Sequence, residues 1–214
     1  MKSVLVSEDH AIVRFGITAI IRDILDPVKV VEAADFDETI RQLSEQTFDL
    51  LILDINIPGG NNLQMISAVR LRQPGIRILI FSGYDEQMFG INYIQAGADG
   101  YLEKHAPEEE IRRAILTMAE DGKYLTPGIR TRLLDHHGHH GHPSSPEAAN
   151  PLLALSGREK EVMLLLGKGM SVMNIAKTLN IQVTTVSTYK SRIFEKLNVN
   201  SVIGLAEMIR LYSN

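Results

Sequence analysis

Hydrophobic and polar positions follow two alternating patterns over the first 121 residues. Short apolar runs, rich in β-branched residues, predict β-strands at 4–6, 28–31, 50–53, 76–81 and, more briefly, 100–102. Longer amphipathic stretches between them predict helices at 10–24, 36–46, 61–72, 86–96 and 107–120. Strands that alternate with helices are typical of a parallel sheet covered on both faces. The predicted fold of this part is α/β, doubly wound around a five-stranded parallel sheet.

From residue 155 onwards the pattern is helical only. Ser156 and Glu159 have the spacing of a capping box, which predicts a helix to about residue 166. Ser171 can cap a second helix to about residue 179, and two more helices are predicted at 182–197 and 201–212. Two helices joined by a short turn within a small all-α, four-helix domain are typical of a helix-turn-helix protein.

Residues 122–151 follow neither pattern. They contain four of the eight prolines and five of the seven histidines. Such a composition predicts a linker, with room for a helix near 126–135. We therefore expect a first domain at 1–121, a linker at 122–151 and a second domain at 152–214.

The histidines of the linker leave two interpretations open. Neutral imidazoles coordinate Zn²⁺, Cu²⁺ or Ni²⁺, which makes the tract a candidate metal site. Its glycines and the flanking prolines provide no rigid geometry, so a flexible polar linker without a specific ligand is the preferred interpretation. The candidate ligands are His136, His137, His139, His140 and His142.

The net charge of −4 hides an asymmetry along the chain. Residues 1–121 hold 11 basic and 20 acidic residues, a net charge of −9. Residues 152–214 hold 8 basic and 4 acidic residues, a net charge of +4. An acidic domain followed by a basic one predicts different partners for the two, and DNA phosphates suit the basic domain.

The composition excludes several classes of protein. The absence of cysteine excludes disulfides, thiolate metal sites and a cysteine nucleophile. Glu8 and Asp9 interrupt the first apolar run, which is unlike a secretory signal, and no stretch approaches the ~18 apolar residues of a membrane span. We therefore expect neither a secretory signal nor a membrane partner. The absence of cysteine does not distinguish the cytosol from the periplasm, and a cytoplasmic location is expected only together with the function that the motifs predict.

Polar side chains follow the predicted strands of the first domain. Glu8 and Asp9 come after the first strand and Asp54 after the third, so all three are expected at the carboxyl edge of the sheet. Carboxylates in one crevice repel each other unless a hard cation such as Mg²⁺ binds there. Ser82 and Lys104 follow the last two strands, where a hydroxyl and an ammonium can contact phosphoryl oxygens. The set predicts an aspartate that accepts a phosphoryl group.

Four segments of the first domain resemble the receiver domain of two-component response regulators. They are Val-Ser-Glu-Asp-His at 6–10, Leu-Asp-Ile-Asn-Ile-Pro-Gly at 53–59, Phe-Ser-Gly at 81–83 and Gly-Ala-Asp-Gly-Tyr-Leu-Glu-Lys at 97–104. The resemblance covers about residues 1–121. It departs from the commoner pattern at Glu8, Ser82 and His105, and none of these departures removes a required group.

The resemblance implies a role for each residue of the set. Asp54 is the expected phosphoacceptor, phosphorylated by a sensor histidine kinase. Ser82 is the hydroxyl that moves toward the phosphoryl group, Lys104 neutralises it, and Tyr101 fills the space that Ser82 leaves. The expected Mg²⁺ ligands are Glu8, Asp9, Asp54 and the backbone carbonyl of Asn56.

The second domain resembles the LuxR-type helix-turn-helix of the NarL/FixJ family. The resemblance covers about 152–214 and rests on Leu-Ser-Gly-Arg-Glu-Lys-Glu-Val at 155–162 and Val-Thr-Thr-Val-Ser-Thr-Tyr-Lys-Ser-Arg-Ile-Phe-Glu-Lys-Leu at 183–197. The run Thr-Val-Ser-Thr-Tyr-Lys at 185–190 is similar to the BvgA/EvgA-like subgroup. The family register implies that Ser187, Thr188 and Ser191 face the major groove of promoter DNA. The residues expected to contact the DNA backbone are Thr184, Thr185, Lys190, Arg192 and Lys196.

The last predicted helix carries more apolar residues than one face needs against so small a domain. The resemblance implies a homodimer on DNA through this helix, and a role confined to the core is the alternative. Candidate dimer residues are Val202, Ala206 and Ile209. Two-fold pairing would place the recognition helices about one DNA turn apart.

The predicted function is that of a two-component response regulator, with RNA polymerase as a further candidate partner. It is not expected to be an enzyme beyond its own phosphorylation and dephosphorylation. Three alternatives stay open: a phosphotransferase with Asp54 as nucleophile, a phosphorylation-independent DNA-binding protein with a vestigial receiver, and a small-molecule-sensing LuxR protein. A small-molecule-sensing LuxR protein would share the second domain but not the pattern of Asp54 and Lys104 in the first. A phosphotransferase would use a second acid two residues after Asp54, where this chain has Asn56.

Overall fold

The computed structural model describes residues 2–60, 63–137 and 150–212, and the side chains of 135–137 are not described. The chain divides into two compact units, Met1–His142 and Pro143–Asn214. No helix of the described residues is long and apolar enough to cross a membrane.

The first unit is built on five parallel strands in the order β2-β1-β3-β4-β5. The strands are β1 Lys2–Ser7, β2 Val28–Ala33, β3 Leu50–Leu53, β4 Arg77–Ser82 and β5 Gly100–Glu103. The helices are α1 Ala11–Ile24, α2 Phe36–Glu45, α3 Gln64–Arg72, α4 Glu86–Gln95, α5 Glu108–Glu120 and α6 Pro127–His137. The predicted doubly wound α/β fold is confirmed.

Apolar side chains on both faces of the central strands form the core of this unit. Alternate residues of β1, β3 and β4, such as Val6, Ile52 and Leu79, pack in one cluster with Ile21 of α1 and Ile115 of α5. The remaining residues of β3 are buried as well. The polar side chains of the central strands β1, β3 and β4 lie at the strand ends, as at Ser7 and Ser82.

The first unit extends beyond the predicted boundary at residue 121. The backbone of Tyr124 pairs with Gly100 beside β5, and its hydroxyl donates to Glu110 Oε1 at 2.9 Å. Ile129 of α6 is buried and lies against Gly90 of α4. Residues 122–137, which the sequence assigns to the linker, therefore pack on the first unit, and the helix expected near 126–135 is α6.

The second unit is all helical. A 3₁₀ turn at Pro151–Ala154 precedes four helices, which are α7 Gly157–Gly167, α8 Val172–Leu179, α9 Val183–Leu197 and α10 Val202–Tyr212. The predicted capping box is present, since Ser156 Oγ accepts from the Glu159 amide and the Glu159 carboxylate accepts from the Ser156 amide. Buried Ile175, Val186 and Ile193 hold α8 and α9 together as a helix-turn-helix.

Candidate functional site

Two buried carboxylates lie side by side at the carboxyl edge of the sheet. Glu8 follows β1 and Asp54 follows β3, and these strands are neighbours. The Asp54 amide donates to the Ser7 carbonyl at 2.9 Å, which fixes the end of β3 against β1. Glu8 and Asp54 are 2% and 1% exposed. Two carboxylates so deeply buried are unfavourable unless positive charge lies next to them.

Lys104 supplies that charge from the end of β5. Its Nζ lies 2.6 Å from Glu8 Oε2 and 3.0 Å from Asp54 Oδ2. Burial opposes the charge of the ammonium, but its hydrogen bonds with the two carboxylates outweigh burial and raise the pKa of Lys104. The backbone holds Lys104 in place, because its amide donates to the Ser82 carbonyl at 2.7 Å. Lys104 is thus a fixed cation beside the predicted phosphoacceptor.

The remaining acid, Asp9, completes a cluster that fits a hard cation. Oxygen or nitrogen atoms of Glu8, Asp9, His10 and Asp54 all lie within 4.8 Å of one another. Three carboxylates against one lysine leave negative charge in excess, and oxygen ligands are the ones that Mg²⁺ prefers. Glu8, Asp9 and Asp54 therefore fit Mg²⁺ as predicted.

His10 belongs to this cluster, although the sequence assigns it no role. Its Nδ1 lies 3.0 Å from Glu8 Oε1 and 2.8 Å from Asp9 Oδ1. The hydrogen bond with Glu8 is the largest of the effects that raise the pKa of His10, followed by the charges of Asp9 and Glu8. The signal in the sequence is its position directly after the acidic pair.

Asn56 lies in the loop after β3, close to Asp54, and Ser82 is the last residue of the neighbouring strand β4. The Asn56 amide donates to Asp54 Oδ1 at 3.1 Å, which places the Asn56 backbone beside the carboxylate. Ser82 is fully buried at the end of β4, and its Oγ accepts from the Tyr84 amide at 3.0 Å. The structure thus brings the predicted metal-binding and phosphoryl-binding residues to one edge of the sheet.

Tyr84 connects these groups and was not predicted. Its hydroxyl donates to Asn56 Oδ1 at 3.3 Å, and its carbonyl accepts from the Tyr101 hydroxyl at 3.0 Å. Its ring also lies 5.4 Å from that of Phe89 in α4. No motif of the sequence marks this residue, because its role depends on contacts with a loop, two strands and a helix.

Tyr101 already occupies the interior. Its side chain is fully buried, and burial is the main cause that raises its pKa, while a hydrogen bond with Ser82 opposes the rise. The sequence predicts that Tyr101 enters from outside when Ser82 moves. In this structure the ring is inside, next to Ser82 and Tyr93, whose ring centroid is 6.0 Å away.

The recognition helix α9 presents a face of short hydroxyls. Val186, Ile193 and Leu197 are buried on one side, so the opposite side is open to solvent. Thr184, Ser187, Thr188, Ser191 and Arg192 are exposed, and Thr185 is half-buried. The Ser187 and Thr188 hydroxyls donate to carbonyls one turn earlier, at 3.1 and 3.0 Å, which leaves their oxygen atoms available as acceptors. A shallow depression is lined by Thr184, Thr185, Thr188, Tyr189 and Arg192.

Comparison with known proteins identifies both units. A family model described as "Response regulator receiver domain" matches residues 4–116, which is more than half of the chain. The chain belongs to the response regulators. A second family model, described as "Bacterial regulatory proteins, luxR family", matches residues 153–209 of this response regulator.

Curated relatives match almost the whole response regulator. "Oxygen regulatory protein NreC" of Staphylococcus carnosus is 32% identical over 206 residues, which cover 95% of this chain and 94% of the relative. A solved structure of RcsB from Salmonella enterica serovar Typhimurium, bound to a promoter with phosphomimetic BeF3−, has a TM-score of 0.77 and 26% identity and covers 99% of each chain. The predicted response regulator, with a receiver and a LuxR-type DNA-binding domain that regulates transcription, is confirmed.

Two of the three lysine and arginine side chains predicted to contact the DNA backbone of the response regulator are engaged within α9 or its neighbours. Lys190 Nζ lies 5.2 Å from the centre of the Phe194 ring. Lys196 Nζ lies 2.7 Å from Glu159 Oε2 and 3.4 Å from the Ala154 carbonyl oxygen. Lys196 therefore has a structural partner that the sequence does not predict, and its contact with DNA stays a prediction.

The dimer candidates of α10 are partly covered within the second unit. Val202, Ala206 and Ile209 are half-buried, and a Cβ on Gly167 of α7 would lie 2.6 Å from Ile209 Cδ1. Ile209 thus packs against α7. Ile203, which was not among the candidates, is 77% exposed. The dimer surface of this response regulator stays a prediction.

The histidine tract cannot be compared with the structure. His139, His140 and His142 lie outside the described residues, and the side chains of His136 and His137 are not described. Metal binding by the tract stays a hypothesis. The domain boundaries beyond residue 137 likewise stay predictions.

Proposed function

We propose that a sensor histidine kinase phosphorylates Asp54 of this response regulator in the presence of Mg²⁺. The phosphorylated protein then binds promoter DNA as a homodimer through α9 and regulates transcription. The observation that carries the proposal is the placement of Lys104 between buried Glu8 and Asp54. A cytoplasmic location goes with this function, because promoter DNA lies there.

The chemistry of the phosphorylation follows from the charges around Asp54. An Asp54 carboxylate oxygen attacks the phosphorus of a phosphohistidine, the P–N bond breaks, and the imidazole leaves with the bonding electron pair and takes up a proton. Lys104 offers its ammonium to the transferred oxygens, and Ser82 can donate its hydroxyl to one of them. Glu8, Asp9, Asp54 and the Asn56 carbonyl would hold Mg²⁺, which supplies Lewis-acid stabilisation of phosphoryl charge when bound.

The proposed reaction is not turnover of a separate substrate. The acceptor is the protein's own carboxylate, which is almost inaccessible to solvent. An enzyme that released product would gain from a second acid near the nucleophile, and the nearby position holds Asn56. Sustained hydrolysis of a phosphate ester would revive the enzymatic alternative.

The exposed face of α9 supports the DNA-binding part of the proposal. Short hydroxyls such as those of Ser187 and Ser191 can approach base edges in a major groove. Arg192 and the mostly basic character of the second unit provide attraction to phosphates. RcsB, which has the same fold, has been solved as two dimers bound to two parallel DNAs. RNA polymerase stays a candidate partner of the bound form.

Phosphorylation is tested with a small phosphodonor and Mg²⁺. We expect wild type to be labelled, Asp54→Asn to remain unlabelled, and the control Asp23→Asn to be labelled like wild type, since Asp23 lies on the surface of α1. Equal labelling of Asp54→Asn would overturn the proposed phosphoacceptor.

DNA binding is tested by genome-wide profiling with and without the phosphodonor. We expect the phosphodonor to increase occupancy at specific promoters for wild type but not for Asp54→Ala. Occupancy that is the same for both proteins, with and without phosphodonor, would favour a vestigial receiver.

A further inference from the structure

Helix α6 is held on helix α4 by side chains that also connect to the phosphorylation site. Thr126, which directly precedes α6, hydrogen-bonds with its hydroxyl to Glu86 Oε1 at the start of α4. The same hydroxyl accepts from the Ile129 amide at 3.4 Å, so one side chain both caps α6 and joins it to α4. Arg132 adds a hydrogen bond from its guanidinium to the Gln87 carbonyl. The α6 seat consists of these hydrogen bonds of Thr126 and Arg132 together with the packing of Ile129 on α4.

Helix α6 packs closely against the backbone of helix α4. A Cβ on Gly90 would lie 2.9 Å from Ile129 Cδ1, so α6 approaches the α4 backbone more closely than a side chain would allow. Glycine in the middle of a helix is less favourable than alanine, so the close approach of α6 comes at the expense of the stability of α4. Ile129 is 2% exposed, although α6 lies at the surface of the first unit.

The loop between Ser82 and Glu86 links the seat to Ser82, and hydrogen bonds fix it at both ends. The Glu86 amide donates to Glu103 Oε1 at 2.7 Å, which ties the start of α4 to β5. Two residues earlier, the Tyr84 amide donates to Ser82 Oγ, and the Tyr84 carbonyl accepts from the Tyr101 hydroxyl, both at 3.0 Å. The loop between β4 and α4 therefore contacts the phosphoryl-binding hydroxyl at one end and the α6 seat at the other.

We propose that seating of α6 on α4 is coupled to phosphorylation of Asp54, with the seated state favoured by the phosphoryl group. The inference rests on the proposed function. A Ser82 hydroxyl drawn to the phosphoryl group keeps the interior free for Tyr101, and a buried Tyr101 holds Tyr84 and hence the start of α4. Helix α6 ends at His137, so its seating is the last of this series of contacts within the described part of the first unit.

Coupling between phosphorylation and the seating of α6 is reciprocal, so it can be measured from either side. In the full-length protein, phosphodonor with Mg²⁺, or beryllofluoride with Mg²⁺, slows hydrogen exchange of the amides in 127–137 by about 5-fold or more. In the other direction, Thr126→Val, which keeps the shape but removes the hydroxyl, speeds exchange of the same amides. It also lowers the extent of Asp54 phosphorylation at equilibrium by a similar factor.

Thr131→Val is the matched control. Thr131 lies on the exposed side of α6, and its hydroxyl donates to the Pro127 carbonyl within the same helix. We expect the Thr131→Val protein to be phosphorylated on Asp54 to the same extent as wild type. Ile129→Ala is a second variant that loosens the seat without touching a hydrogen bond, and it should act in the same direction as Thr126→Val.

The outcomes separate this inference from the proposed function. Wild type that is phosphorylated without any change of exchange in 127–137 would overturn the coupling and leave the proposed function standing. The coupling would also be overturned if Thr126→Val and Ile129→Ala were phosphorylated like wild type although hydrogen exchange in 127–137 was faster. Helix α6 would then pack on α4 without any link to phosphorylation. Wild type that is not phosphorylated at all would overturn both.

Discussion

Lys196 Nζ lies 2.7 Å from Glu159 Oε2, so an ion pair joins the last turn of the recognition helix α9 to the first turn of α7. The Glu159 side chain is only 4% exposed, and the same Oε2 accepts from the Ser156 amide at 2.7 Å. The hydrogen bond from Lys196, followed by that from the Ser156 backbone, lowers the pKa of Glu159 to about 2. A residue predicted to contact DNA thus stabilises the domain that carries it.

Replacement of Glu159 by glutamine is expected to destabilise the second unit. Glu159→Gln keeps the shape and an acceptor oxygen but removes the charge, and hydrogen bonds to charged groups contribute about 1.5–3 kcal/mol. Because folding lowers the pKa of Glu159, its stabilisation is complete above the ordinary carboxyl value of 4.5 and is lost as the pH falls toward about 2.

Urea unfolding of wild type and Glu159→Gln over a pH series measures this effect. The difference in unfolding free energy should be constant near neutral pH and shrink below pH 4.5. Glu161→Gln is the control, because Glu161 is exposed and its one ion pair among the described residues is with Arg158, one turn away. A difference that is the same at neutral and at strongly acidic pH would contradict the role given to the Glu159 carboxylate.

Arg192 and Lys196 should differ in their effect on DNA binding. Arg192 is exposed and has no ion pair with any part of the chain that the structure describes, whereas Lys196 is paired. Each phosphate contact contributes about 0.9 to the slope of log affinity against log salt. We therefore expect Arg192→Met to reduce the slope by about that amount and Lys196→Met to leave it unchanged.

Fluorescence anisotropy with a labelled promoter duplex at several salt concentrations measures both slopes. Lys196→Met should instead lower the unfolding free energy of the second unit, since it leaves buried Glu159 without its partner. An equal loss of slope in the two variants would show that Lys196 leaves Glu159 to contact DNA.

The order of strands and helices could be predicted because each element shows its own period of apolar residues. The acidic cluster could be placed as well, since residues such as Glu8 and Asp54 directly follow strands and a parallel sheet brings those ends together. Position in the sequence is enough when the chemistry lies at strand ends.

Contacts made by side chains across elements could not be predicted. Tyr84 and Lys196 owe their roles to partners 28 and 37 residues away. The packing of α6 on the first unit could not be predicted for a similar reason: α6 is weakly amphipathic by sequence, and its place depends on contacts of Thr126, Ile129 and Arg132 with α4. The proline- and histidine-rich composition of residues 122–151 predicts a linker and does not indicate these contacts.

Lys104→Met is expected to slow phosphorylation of Asp54 from a small phosphodonor by about 10²-fold, the loss seen when one preorganised charge or donor is removed from a developing anion. The substitution also leaves Glu8 and Asp54 without the ammonium that lies 2.6 and 3.0 Å away. Single-turnover labelling measures the rate, and Lys123→Met, at an exposed position, is the control. Labelling of Lys104→Met at the wild-type rate would contradict the role given to its ammonium.

Gly90→Ala should change the free energy of unfolding by different amounts in two backgrounds. Alanine favours a helix interior by about 1 kcal/mol over glycine, but its methyl group would meet Ile129 Cδ1 at 2.9 Å in wild type. In the Ile129→Ala background the contact with Ile129 is gone and only the flexible Glu86 side chain, with its Cγ at 3.0 Å, has to move. The Ile129→Ala variant itself costs about 2–5 kcal/mol through the lost burial.

A double-mutant cycle, measured by urea unfolding of the first unit, separates the two effects. We expect Gly90→Ala to stabilise the Ile129→Ala protein by up to about 1 kcal/mol and to stabilise wild type less or destabilise it. The difference between the two values is the energy of the close approach between α4 and α6. Equal effects of Gly90→Ala in both backgrounds would mean that Ile129 does not restrict this position, and that the glycine of α4 has another cause.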